Sequence, residues 1–259
     1  GDLYIDAKNI SLSENVHLRS NRGSMWVNTT ENLTANNQSR FTALVDLNIN
    51  ANKELKMEGN ALWATEGSIN LQSMASTANP LQLNGVLIFT GENLNINGVN
   101  DVLLKNLSFN LVNDMARVKN INVASSQNIV WDNQAKPLAK ISGKVQLEAK
   151  QKLDLSNTAI HAADDIVILS DRLIVNNVLK SDKGLNLTTQ QSMSLNKGSQ
   201  LNTSGDIALS SLQGDILAES LKANTLGKLA IYANKDSAIL SEDEQRESNQ
   251  KDGIIAKSF

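Results

Sequence analysis

Five aspartates have a spacing that could support catalysis: Asp164, Asp165 and Asp171 in one stretch, Asp206 and Asp215 in another. Clustered carboxylates on one outer face are what a sugar lyase or hydrolase requires. Against that use, Asp206 and Asp215 each follow a glycine at a turn, where a short acid commonly bonds turn amides, and Asp164-Asp165 occupies a similar place. The two histidines, His17 and His161, lie far apart, which argues against a His-based metal site or triad. There is no cysteine for a disulfide or thiolate site, and no Gly-Gly-x-Gly-x-Asp calcium loop. No catalytic, cofactor-binding or metal residue is therefore assigned, and no cofactor is expected. Tyr4, Trp26 and Trp63 are better candidates, as ligand contacts, because exposed Tyr and Trp bring large rigid area at low entropic cost. The alternative for them is packing beneath a neighbouring loop. Trp131 is expected in the core.

The elements that must position these residues come from one repeated phrase. Gly184-Leu185-Asn186-Leu187-Thr188-Thr189, Gly205-Asp206-Ile207-Ala208-Leu209-Ser210-Ser211 and Gly227-Lys228-Leu229-Ala230-Ile231-Tyr232-Ala233 share a turn residue, an alternating aliphatic pair and a small residue two places later. Aliphatic pairs of this kind begin at Leu3, Met25, Leu47, Ile69, Leu94, Ile121, Val145, Ile166, Leu185, Ile207 and Leu229. Their spacings are 22, 22, 22, 25, 27, 24, 21, 19, 22 and 22. Alternation over a few residues argues strand, and a fixed period in the twenties argues a solenoid. A second strand starts about eight residues after the first (Leu55/Met57, Leu153/Leu155, Ser237/Ile239) and a third follows (Phe41/Ala43, Leu62/Ala64, Ile160/Ala162). The fold class is therefore all-β, a right-handed parallel β-helix of about eleven coils with a period of about 22 residues.

Residues 1–240 form the repeat array, with polar insertions near 73–81, 112–119 and 132–141. Both prolines, Pro80 and Pro137, fall in these insertions and are expected in loops between coils. Residues 241–259 read as a charged tail or the start of a further coil. The outward position after each marker carries Asn48, Asn70, Asn95 and Asn122, which can bond in a ladder at strand spacing. A net charge of −3 argues against nucleic acid as a partner, and no run is long enough for a membrane-spanning helix. Because the first coil starts in mid-pattern at Gly1, the expectation is an excised, monomeric piece of a longer polypeptide. Asn-x-Ser/Thr triplets at Asn28, Asn37, Asn106 and Asn186 are what an Asn-rich chain produces by chance.

The Gly-Asp-Ile-x-Leu-x-Ser and Gly-x-Leu-x-Ile-x-Ala phrases resemble the filamentous haemagglutinin repeats of two-partner secretion exoproteins. Those include haemagglutinin-type adhesins and contact-dependent growth inhibition toxins. The resemblance implies export through an outer-membrane secretion partner and display on the bacterial cell surface. It also implies a stalk with an adhesive or receptor-binding segment that meets a target-cell surface receptor or glycan. The alternative reading is a β-helical polysaccharide lyase or hydrolase domain.

Overall fold

A computed structural model describes residues 1–36, 38–74, 79–137, 139–233 and 254–256. Among these there is no helix, and the chain winds as a parallel β-solenoid. All eleven markers stand in one column without a slip of register, Leu3 against Met25, then Leu47, Ile69, Leu94, Ile121, Val145, Ile166, Leu185, Ile207 and Leu229. The markers from Met25 to Ile207 are at most 2% exposed. Alternation sends each inward, so burial comes from aliphatic ladders running along one continuous core. In the first coil Leu3, Ile5, Ile10, Leu12 and Leu18 are only partly buried, because that coil has a neighbour on one side.

Each turn has three faces, as in Met25–Thr29, Leu33–Asn36 and Arg40–Ala43. There are about ten full turns, and Leu229–Ala233 begins another. Ile254–Ala256 pairs in parallel against that last strand, Leu229 opposite Ile254. Ser237/Ile239 and the charged run 241–252 lie outside the described residues.

The small residue that ends each marker phrase has a physical reason. Space at the first corner is short, and a carbonyl there must be satisfied in the interior. Ser73 Oγ donates to Lys53 O at 3.1 Å, Ser125 Oγ to Asn100 O at 2.6 Å and Ser211 Oγ to Gln191 O at 3.2 Å. The third corner repeats the device: Thr90 Oγ1 reaches Gly67 O at 2.6 Å, Ser181 Oγ reaches Asp164 O at 2.7 Å, and Thr225 Oγ1 bonds Gly205 O. The corner between the second and third strands instead turns through left-handed backbone at Asn15, Gln38, Gly59, Gly85, Asn106 and Gln134. Asn and Gly tolerate that conformation best, which explains their frequency there.

The insertions differ in kind. Residues 73–81 extend the corner between first and second strands, and 75–78 lie outside the described residues. The segment 112–119 is partly core rather than a plain polar insertion. Leu111–Val112 and Met115–Ala116 form a short antiparallel hairpin turning through Asn113 and Asp114, both with positive φ. Ala116 and Val118 then return to the interior. In the third insertion, Pro137 is the last residue of the strand Ile129–Pro137 rather than a loop residue. It lies opposite Ala159 beyond two register shifts, so its missing donor falls where the ladder is already broken.

Candidate functional site

On the outer surface the coil-to-coil register dictates which side chains meet. Tyr4 and Trp26 occupy equivalent positions and stack with centroids 4.7 Å apart and planes 6° from parallel. Tyr4 is 62% exposed and is the best-presented aromatic of the first face. Further along, the same column becomes an amide tape. Asn70 donates to Asn48 at 2.8 Å, Asn95 to Asn70 at 2.7 Å and Asn122 to Asn95 at 2.8 Å. A parallel column runs from Asp6 through Asn28 to Asn50. Beside these amides lies a shallow depression of about 260 Å³ lined by polar side chains such as Gln72, Asn97 and Glu148.

Trp63 points outward from the third face, and both its ring faces are taken. Arg40 lies 5.1 Å from the ring centroid, and Phe89 stacks at 4.8 Å. Arg117 covers the far side of Phe89 at 4.5 Å and donates to Thr65 O at 3.1 Å. Trp63 therefore offers an edge rather than a platform, and its Nε1 is shielded without a partner. Arg40, Phe89 and Arg117 were not singled out from sequence. The available signal was register: with Ala64 opposite Thr90, Phe89 must stand on Trp63. Trp131 is in the core, 1% exposed.

The acids do not converge. Asp164 Oδ1 accepts the Asp165 amide at 2.8 Å, and its Oδ2 meets Lys183 Nζ at 2.9 Å. The Lys183 ammonium holds the Asp164 carboxyl below its ordinary value, and the same pair raises Lys183. Asp206 Oδ1 accepts the Lys228 amide of the following coil at 2.8 Å. Earlier coils repeat this turn bond, where Ser24 N donates to Asp2 and Ser68 N to Asp46, at 2.9 and 2.8 Å. Asp171 sits at the register shift inside the strand Ile166–Val175, and Asp215 lies just before the strand Ile216–Ala218. Among the described residues no group of three or more His, Asp or Glu side chains could hold a metal.

His17 faces outward and shares a 3.0 Å hydrogen bond with Thr42 Oγ1. Burial lowers its pKa, with Arg40 and Arg19 adding to the effect. His161, half-buried, meets Asp182 at 3.3 Å; burial, with the Lys180 and Lys140 ammonium groups adding to it, lowers its pKa against the raising effect of that carboxylate. Asp182 also holds Lys140 at 2.5 Å, and that ammonium keeps its carboxyl low. Of the Asn-x-Ser/Thr triplets, the Asn28 and Asn106 amides already donate to neighbours, Thr188 donates to Asn186, and Asn37 lies outside the described residues.

The three insertions do not share one face. They leave the solenoid at the first corner, from the third strand and at the second corner respectively. Compared with protein-family models, curated proteins and solved structures, the chain finds no match in any of the three.

Proposed function

We propose that this solenoid acts without catalysis, as the stalk and adhesive or receptor-binding segment of a large secreted bacterial exoprotein displayed at the cell surface. The target-cell receptor-binding region of a contact-dependent growth inhibition toxin is its most specific form. One observation carries the preference for binding over turnover: the best-placed acids serve the scaffold. Asp164 is engaged by Lys183 and a turn amide, and Asp206 caps the next coil. A depolymerase needs acids free to exchange protons beside a substrate groove. A binder needs a stiff body and a shaped surface, and ten coils at about 4.8 Å give a rod of roughly 50 Å. The resemblance to filamentous haemagglutinin repeats supports the same reading.

Fluorescently labelled protein added to a panel of intact Gram-negative cells tests it. Saturable attachment that unlabelled protein competes away is expected. Turnover of uronate-containing or neutral polysaccharides that disappears in Asp164→Asn or Asp165→Asn would sink the proposal. So would the lack of saturable attachment to any cell, which would leave a spacer.

A further inference from the structure

The left-handed corner column has a consequence for the surface. Between the second and third faces, Asn15, Gln38, Gly59 and Gly85 follow one another in successive coils. Because Gly59 and Gly85 carry no side chain, the corner opens into a groove of about 480 Å³ running across the first four coils. His17 and Arg40 line it, in register on adjacent third strands, and no carboxylate does. Asn60, 2% exposed, turns inward behind the groove in the same column as Ser39 and Val86, and donates to Ser39 O at 3.3 Å.

Charge elsewhere is treated differently. Every ion pair among the described residues uses lysine or histidine; Arg19, Arg22, Arg40, Arg117 and Arg172 take part in none. Arg40 is held instead by its stack on Trp63, so its guanidinium is ordered while its N–H edge has no acid. A planar, oriented guanidinium without a counter-ion is suited to bidentate recognition of a carboxylate.

We propose that this groove binds an acidic polysaccharide through its uronate carboxylates, with Arg40 as the carboxylate anchor, His17 as a second donor, and Gln38 serving hydroxyls. The wall chemistry selects sugar over an acidic polypeptide. Polar side chains and turn backbone make up most of it, with Val16, Ala61 and Leu87 as its aliphatic members, whereas a protein partner is anchored mainly by large apolar or aromatic side chains filling pockets. This assignment rests on the non-catalytic binding reading above and gives it a ligand class.

The test is titration calorimetry of the whole chain with polygalacturonate oligomers, with polyglutamate and a sulfated dextran as comparison probes. Saturable binding to the uronate polymer is expected, tighter than to either comparison probe. Arg40→Gln should weaken it about tenfold or more, as loss of a charged hydrogen bond does. Arg40→Lys should recover only part, because a point charge cannot form the fork. Since Arg40 also packs on Trp63, Ala61→Glu is the second variant: it sets an acid opposite Arg40 on the adjacent strand, supplies the counter-ion the guanidinium lacks without removing either stacked side chain, and should abolish binding. Arg172→Gln, on another part of the solenoid, should bind as wild type. Equal binding by Ala61→Glu, or preference for polyglutamate or the sulfated polymer, would overturn the assignment. Attachment to cells without uronate binding would overturn it and leave the adhesin reading intact; uronate binding without cell attachment would do the reverse.

Discussion

Coils seven to nine and coils four to six solve the same problem with different amounts of chain. The seventh coil is a single strand from Val145 to Ala162 that passes its corner by a register shift between Ala149 and Lys152. The eighth does the same between Ser170 and Arg172. In this compact half outward charges are paired nearby, Lys152 with Asp154 and Lys183 with Asp164, and Asp182 reaches back to Lys140 of coil six. Coils four to six place their extra residues at corners and in a hairpin, and the neighbouring third face carries unpaired arginines on an aromatic stack. The inward ladder is the same in both. Length variation is thus absorbed outside the core, while the aromatic stack and the groove start on the regular 22-residue coils and reach only the first edge of the longer ones.

The sharpest way to break the equivalence of the core is Ile207→Asp. Ile207 is fully buried between Leu185 and Leu229, and an ionised carboxylate there has no partner. A loss of about 4 kcal/mol is expected. Neighbouring coils should lose protection as well, since stability in such arrays comes from adjacent interfaces. Urea unfolding reads the loss, and an unchanged curve would contradict the inward assignment.

Corner hydroxyls come next. Thr90 is fully buried and donates to Gly67 O, so Thr90→Val keeps the shape and removes the donor. A cost of about 1–2 kcal/mol follows from an interior carbonyl losing a partner. A midpoint within error of wild type would show that the carbonyl finds another donor.

The hairpin should matter far less. Phe109 stands opposite Ile88, and Thr90 is the next inward residue of that coil. Ala116, which returns to the core, therefore needs only one residue between itself and Phe109. Replacing residues 110–115 by a single serine should change stability by less than about 1 kcal/mol, because the loop's closure entropy depends weakly on length. Removing five residues from within Val145–Ala162 should prevent folding. Circular dichroism melts of the two deletions compare the regions directly.

Much of this was legible in the sequence. The marker column reappears residue for residue, because a one-residue slip would turn every aliphatic outward. The Asn48–Asn122 tape and the Tyr4–Trp26 stack follow from the same register. What could not be read was where extra residues leave the coil. Spacing alone does not distinguish a corner extension (73–81) from a hairpin inside a strand (110–115). Nor does it show that Pro137 ends a strand. Phe89 escaped notice because stacking across coils needs the third-strand register, which the spacing of 25 obscures, and Arg40 because it stands opposite Ala61 and reaches Trp63 only diagonally.

The smallest expected effect is on pH. Burial depresses His161, so its neutral form is favoured in the folded chain. The associated stability is complete above the unfolded value near 6.5 and is lost as pH falls through the lower folded value. His161→Gln should flatten a slight decline in melting temperature between about pH 7 and 5. An identical decline in the variant would assign it to other groups.

The amide tape gives the rod a sense of direction. Every bond from Asn122 back to Asn48 donates toward the amino-terminal neighbour, so the side-chain dipoles add head to tail. A coil laid down after Asn48 meets an oriented acceptor already in place, whereas a coil approaching from the other side meets an N–H. Winding from the amino-terminal end would then proceed on a template that each added turn renews, in the order in which a chain leaves a ribosome.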